Sequence, residues 1–203
     1  MTSETPAETG RKYRKGAARR AEILAKAIGL FAEHGVEASL RAIGDAIGVS
    51  HAALRYYFAS RDELLVEVYR THEAAPESGP IPETASAVGV MELSAENNRT
   101  IPGLIELYAT LTTDALQAQR HPLTRDFIRS RFRRVRSDLA ERIRSDQRAG
   151  IIDESIDPDD AAALVAAASD GLQLQWLLHP DEVDIRRSLK LLERILPAGP
   201  KGR

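Results

Sequence analysis

The chain has 203 residues, enough for one or two domains with their own hydrophobic core. It contains no cysteine, which excludes disulfide bonds and thiolate metal sites. No apolar run reaches the roughly 18–20 residues of a membrane span, and the polar N-terminus lacks the apolar core of a signal peptide. We therefore expect a soluble, cytoplasmic protein without membrane partners.

The net charge of −2 hides an uneven distribution of charged residues. Residues 11–61 contain ten basic and four acidic side chains, whereas residues 62–203 contain eighteen basic and twenty-four acidic ones. Lys and Arg side chains that neutralise phosphates release condensed counterions, which favours binding. The pattern predicts that only the N-terminal part meets a polyanion.

The first sixteen residues show no helical or strand period and are interpreted as a flexible basic arm. The arm is either a plain tail or a segment that reaches a DNA groove or backbone. From Ala17 apolar residues recur at helical spacing up to Gly35, which predicts the first helix.

Two short helices follow, Leu40 to Ile47 and His51 to Tyr57. Ser39 and Ser50 are predicted to cap them, and Gly48 allows the tight turn between them. Ser60 opens a fourth helix, with Glu63 three residues later to complete a capping box.

The prolines and glycines of residues 74–82 predict a loop. Five more helical patterns cover residues 83–97, 102–119, 122–148, 158–178 and 181–196. No segment has a convincing strand period. The predicted fold is all-α with about nine helices, arranged as an arm (1–16), a helix-turn-helix domain (17–60) and a larger helical domain (61–198).

The helix at 51–57 carries side chains suited to a DNA groove. Its outward residues are His51, Ala52, Arg55 and Tyr56, with Ala53 and Tyr57 at the edges. Arginine donates two hydrogen bonds to guanine, and tyrosine hydroxyls suit phosphate oxygens. The helix N-termini at Ser39 and Ser50 can point N–H groups at phosphates. Such a motif also occurs as an ordinary corner of helical proteins, but the basic balance favours DNA binding.

Residues from about Arg19 to Tyr69 resemble the DNA-binding domain of the tetracycline-repressor (TetR) family. The signatures are Phe-x-x-x-Gly at 31–35, Ile-Gly-x-x-Ile-Gly-Val-Ser at 43–50, Leu-x-Tyr-Tyr-Phe at 54–58 and Ser-Arg-Asp-Glu-Leu-Leu at 60–65. The resemblance implies a DNA-binding surface formed by Arg41, Ser50, His51, Ala53, Arg55, Tyr56, Tyr57 and Arg61. The helix N-terminus capped by Ser39 adds that serine to the predicted DNA-binding residues. Arg55 stands where many members have tyrosine, which favours guanine reading over phosphate contact. Gly44 replaces the usual alanine and should weaken the second helix slightly.

The last two helices are predicted to pair two copies of the chain, because one short recognition helix rarely gives enough affinity. Small and apolar residues make them suitable for close packing. The alternative is that they are core helices of a monomer, but the family resemblance favours the dimer. The predicted interface residues are Leu164, Ala168, Leu172, Ile185, Leu189 and Leu192.

The middle helices could enclose a pocket for an apolar or aromatic ligand. The predicted lining residues are Met91, Leu104, Tyr108, Leu111, Phe127, Phe132, Gln173 and Trp176. Each of them, taken singly, is better explained as a residue that fills the core.

We therefore predict a DNA-binding transcriptional regulator, a repressor released from its operator by a small ligand. The alternative is a DNA-binding regulator with no small-molecule effector. We predict no enzyme activity, cofactor or metal site, because no nucleophile elbow or phosphate loop occurs and the five histidines are scattered.

Overall fold

The computed structural model describes residues 6–34, 39–74, 81–117 and 119–195. Across these ranges the regular structure consists of nine helices, which confirms the all-α prediction. They are α1 (Pro6–His34), α2 (Leu40–Ile47), α3 (His51–Tyr57), α4 (Arg61–Ala74), α5 (Ala87–Thr100), α6 (Leu104–Leu116), α7 (Pro122–Arg148), α8 (Pro158–Leu178) and α9 (Ile185–Ile195). Of the helices in these ranges, none is both long and apolar enough to cross a membrane.

The chain forms two compact units. The first contains α1–α4 together with Pro102–Leu111, and the second contains α5, α7–α9 and the remainder of α6.

The core of the first unit comes from apolar residues at helical spacing on α1 and α4, closed by α2 and α3. Ile23 and Ala27 of α1, Leu54 of α3 and Leu64 of α4 are all fully buried. Tyr108 stacks on Tyr69 of α4 with ring centroids 5.5 Å apart. Removing these side chains from water is the main force that holds the short helices in place.

The turn between α2 and α3 depends on two glycines. Gly48 ends α2 in the left-handed conformation, with φ +70°. Glycine adopts this conformation easily because it has no Cβ atom to clash with the backbone. A Cβ atom at Gly44 would lie 2.5 Å from the carbonyl oxygen of Val49 and 2.9 Å from a methyl carbon of Leu54. The expectation that Gly44 simply weakens α2 is therefore incomplete, since its missing side chain lets α3 approach.

The second unit is built around α5, which packs against α7, α8 and α9. Its buried cluster contains apolar residues from all four of these helices, together with Ile152 from the loop after α7: Ala87, Val88, Met91, Ala95, Leu139, Ala140, Ile143, Ile152, Ala161, Ala162, Val165, Ala166, Ile185 and Leu189. The many alanines of α8 allow its backbone to approach α7 closely. The alanine-rich composition of α8 thus serves a packed core inside the unit.

Helix boundaries were predicted well where a local cap defines them. Asp157 accepts hydrogen bonds from the amides of Asp159 and Asp160, both at 2.9 Å, with Pro158 at the first helical position. Ser60 accepts from the amide of Glu63 at 3.1 Å, as the capping box requires. The Glu63 carboxylate accepts from the amide of Ala59 at 2.6 Å, one residue earlier than in the usual box.

Three predicted starts were wrong. Helix α1 begins at Pro6, so residues 6–16 are helical rather than an irregular arm. Alanine, arginine, lysine and glutamate favour helix without any apolar stripe, which is the signal that the periodicity analysis lacked.

Helices α5 and α9 both begin four residues later than predicted. Ser86 caps α5 through the amide of Gly89 at 3.0 Å, and Asp184 accepts from the amide of Arg187 at 2.9 Å at the start of α9. Before α5, the Arg142 guanidinium of α7 donates to the carbonyl oxygens of residues 82, 83 and 85 at 3.4, 3.0 and 2.9 Å. These carbonyl oxygens therefore accept hydrogen bonds from a side chain that is distant in the sequence, and not from amides within a helix.

Candidate nucleic-acid interface

Helix α3 presents a polar and aromatic outer face over an apolar anchor. His51, Arg55 and Tyr56 are exposed, Tyr56 at 81%, whereas Leu54 is completely buried against the first unit. Tyr57 is partly buried, and its ring meets that of Tyr56 edge to face with centroids 5.0 Å apart. With Leu54 buried, the guanidinium of Arg55, the imidazole of His51 and the phenol of Tyr56 are all exposed to solvent.

The predicted capping serines fix the ends of α2 and α3. Ser39 accepts from the amide of Ala42 and Ser50 accepts from the amide of Ala53, each at 3.2 Å. Both serines are exposed, so their O–H groups can still donate to a phosphate. The capping role of both serines, predicted from the sequence, is therefore confirmed. Their contact with DNA stays a prediction.

The predicted arginines of this surface lie in different environments. Arg41 is 80% exposed, and its ion pair with Asp45 is loose at 4.0 Å, so little holds it away from a phosphate. The Arg61 side chain is only 23% exposed and lies 3.9 Å from the Asp62 carboxylate. Arg61 thus has less side-chain surface to offer DNA than Arg41 or Arg55. Ala53 is partly buried at the inner edge of α3.

Arg20 and Glu67, which the sequence did not predict, form a contact next to the end of α3. Phe58 is the residue directly after α3. The Arg20 guanidinium of α1 lies over its ring, 5.0 Å from the ring centroid. The same guanidinium donates to the Glu67 carboxylate of α4 at 2.8 Å. Since Arg20 and Glu67 are 47 positions apart, no local pattern could have indicated their contact.

Glu67 is held as a carboxylate by two arginines. Partial burial opposes its ionisation, but hydrogen bonds from Arg20 at 2.8 Å and Arg70 at 2.9 Å outweigh burial and lower the pKa of Glu67 below its ordinary value. This ion pair connects α1 to α4 across the base of the helix-turn-helix.

The predicted ligand-binding residues are divided between the two units. Leu104, Tyr108 and Leu111 are buried in the first unit. Met91, Phe127, Phe132, Gln173 and Trp176 belong to the second unit, where Phe132 and Trp176 are partly exposed and the others are buried.

Two of these residues have polar surroundings in the second unit. Asn98 donates to the side-chain oxygen of Gln173 at 2.8 Å, so this amide is already engaged by a neighbour on α5. Trp176 lines a cavity of about 560 Å³ beside the start of α9, with the Arg99 guanidinium 5.9 Å from its ring centroid. Charged side chains dominate the rest of this cavity, which suits a polar ligand better than the apolar one predicted.

The six predicted interface residues also differ in exposure. Leu164 is 55% exposed, and Ala168, Leu172 and Leu192 are partly exposed on the core cluster. Ile185 and Leu189 are 7% and 0% exposed, which corrects their assignment to an interface. They pack into the core of their own unit and leave almost no surface for contact with a second copy.

Two family models match the chain. Residues 23–68 match the model of bacterial regulatory proteins of the tetR family. Residues 115–199 match the C-terminal domain of BetI-type transcriptional repressors. The two segments together cover more than half of the chain. Among curated proteins, no sequence relative matches.

Solved structures share the fold at low sequence identity. A protein of Saccharomonospora viridis described as a transcriptional regulator, in complex with choline, has a TM-score of 0.66 at 22% identity, over 88% of this chain and 95% of that one. The multidrug binding protein EbrR complexed with imidazole has a TM-score of 0.59 at 24% identity, over 91% and 93%. The SmeT–triclosan complex has a TM-score of 0.64 at 21% identity, over 88% and 90%.

The N-terminal model covers the turn at Gly48 and the whole of α3, and the C-terminal model covers α7–α9. The chain therefore belongs to the TetR family of bacterial transcriptional regulators, which are DNA-binding transcription factors and not enzymes.

Proposed function

We propose that this regulator binds a specific operator by inserting α3 into the major groove. The observation that carries the proposal is the outer face of α3, where His51, Arg55 and Tyr56 stand exposed above the buried Leu54. Arg55 lies one turn after His51, so both reach the same strip of groove, with Arg55 suited to guanine. Arg41 and the capped N-termini of α2 and α3 contribute phosphate contacts.

Selection from a randomised duplex pool tests this proposal. The purified full chain should enrich a discrete, two-fold symmetric sequence, and its affinity should fall as salt rises because phosphate contacts release counterions. Recovery of only random sequence at low salt would contradict operator reading.

We further propose that two copies pair through the outer face of α8. Leu164, Gly171 and Leu178 recur every seven residues on this helix, and the two leucines are 55% and 75% exposed. A small residue between large exposed leucines suits close approach of a second helix about a two-fold axis. Leu172 and Leu192, which are partly buried against the core cluster, remain candidates for the same interface. Pairing would place two copies of α3 on successive half-sites.

Regulation by a small molecule is the third part of the proposal. Support comes from relatives of the same fold that were solved with choline, imidazole and triclosan. Our proposed outcome is release from the operator, and we propose repression as the role of the bound protein because it is the usual role in the family. A ligand acts only through a difference in affinity between the DNA-bound and free forms.

Operator-bound full chain should be challenged with a panel of small organic molecules, with release followed by fluorescence anisotropy. Release by one compound at constant salt supports a sensor, and competition with unlabelled operator is the control for reversible binding. A complete panel without release supports the alternative, a regulator without an effector.

A further inference from the structure

A second cavity of the second unit lies between the start of α5, the end of α7 and the last turns of α9. Its volume is about 350 Å³, within the range of small-molecule sites. Ala87, Val88, Ile151 and Ile152 give it an apolar wall, with Ile151 60% exposed at the rim. None of the residues predicted to bind ligand lines it.

A half-buried carboxylate lies in this apolar wall. Asp146 lines the cavity from the last turn of α7, and burial raises its pKa despite the opposing charge of Arg142. Its backbone carbonyl accepts from the amides of Ile151 and Ile152 at 2.8 and 3.4 Å. No side chain or amide within the described ranges donates to its carboxylate oxygens, so they are free to accept a hydrogen bond from a donor that enters the cavity.

The nearest cation is already committed to other acceptors. Arg142 lies one turn before Asp146 and donates its Nη1 hydrogens to the carbonyl oxygens of residues 82, 83 and 85. Its positive charge therefore favours the ionised form of Asp146 without supplying a hydrogen bond to the carboxylate.

A second carboxylate reaches the cavity from α9. Glu193 accepts from the Ser86 hydroxyl at 2.8 Å, and the Ser86 oxygen in turn accepts from the Gly89 amide at 3.0 Å. This chain of hydrogen bonds fixes Glu193 at the wall. The cavity thus combines an apolar surface with two carboxylates from different helices, and Asp146 still lacks a donor.

We propose that this cavity binds an organic cation with a primary or secondary ammonium group on a compact apolar body. The ammonium donates to Asp146 and lies near Glu193, and the apolar body covers Ile151 and the wall beneath it. A charge-assisted hydrogen bond in a partly desolvated place is stronger than one in water. This site is independent of operator reading, so failure of either proposal leaves the other standing.

Calorimetric titration of the full chain with benzylamine tests the proposal, with benzyl alcohol as its neutral counterpart of similar shape. Benzylamine should bind saturably, whereas benzyl alcohol should bind at least about tenfold more weakly, because it lacks the charge-assisted bond. Asp146→Asn keeps the shape and should weaken benzylamine binding about tenfold or more. Glu193→Gln should weaken it less.

Asp138→Asn, on the exposed face of the same helix, is the matched control and should bind like the wild type. Thermal melting of each variant separates lost binding from lost folding, and Asp146→Asn should melt no lower than the wild type at neutral pH since it removes a half-buried charge. Equal binding of benzyl alcohol and benzylamine, or unchanged binding in Asp146→Asn, would overturn the proposal.

Discussion

The outer faces of α3 and α8 are both exposed, yet their chemistry is opposite. Helix α3 shows His51, Arg55 and Tyr56 to solvent, whereas α8 shows Leu164 and Leu178. Polar and cationic side chains can bind a hydrated polyanion favourably. Exposed leucines contribute favourable free energy only when another apolar surface covers them. The contrast favours a different partner for each surface, in line with our proposal of DNA for α3 and a second copy for α8.

The largest expected effect comes from placing a charge on α8. Leu164→Asp should convert a dimer into a monomer, because the carboxylate would be buried without a partner in the proposed interface. Sedimentation velocity measures the change directly. Leu123→Asp, at a 42% exposed leucine of α7 outside the proposed interface, is the control and should stay dimeric. A dimeric Leu164→Asp variant would remove α8 from the pairing surface.

Gly44→Ala tests the support beneath α3. Alanine is the better helix former, but its Cβ would meet the Val49 carbonyl and the Leu54 side chain, so we expect a loss of about 1–3 kcal/mol in the free energy of unfolding. Gly29→Ala is the matched control. Its Cβ meets nothing within 4 Å in the interior of α1, and we expect a gain of up to about 1 kcal/mol. Urea titration measures both, and a stabilised Gly44→Ala would contradict the close approach.

Arg55→Ala tests operator reading. The variant should lose about 1–3 kcal/mol of operator affinity and relax the preference at one base pair, as expected for a guanine contact. Fluorescence anisotropy on the selected operator and its single-base variants measures both effects. Arg41→Ala should instead weaken all sequences alike and lower the salt dependence. Identical behaviour of the two variants would place Arg55 on a phosphate.

The smallest effect concerns the ion pair behind α3. The pKa of Glu67 is lower in the folded chain than its ordinary value of 4.5, so its contribution to stability is present above that pH and is lost as pH falls through the folded pKa. The wild type should therefore lose more of its melting temperature on acidification below about pH 4.5 than Glu67→Gln does. Glu154→Gln, at an exposed loop carboxylate, should follow the wild type. Parallel melting curves for wild type and Glu67→Gln would contradict the role of the pair.

The short helices of the first unit were predictable because their signals are local. Ser39, Ser50 and Ser60 each accept an amide three residues later, so the residue type and its spacing are visible in the sequence. The same holds for Asp157 and Pro158 at the start of α8. The exposed residues of α3 follow from the apolar period of the helix that carries them.

The second unit could not be predicted to the same depth. Whether an apolar residue of α8 or α9 faces the chain's own core or a partner depends on which helices pack beside it. Periodicity treats Leu164 and Leu189 alike, yet one is 55% exposed and the other is fully buried. Trp176, predicted for an apolar pocket, lies in a largely charged one for the same reason.

By itself, the sequence determined the all-helical fold and the helix-turn-helix, because hydrogen bonds and periodicities within a few residues encode them. It also determined the excess of basic residues at positions 11–61. Only the tertiary structure decided that Gly44 lets α3 approach, that Arg142 donates to the carbonyls before α5 and that Asp146 lines an apolar cavity. These properties arise from contacts between residues that are distant in the chain, and the environment of a side chain is set by its neighbours in space.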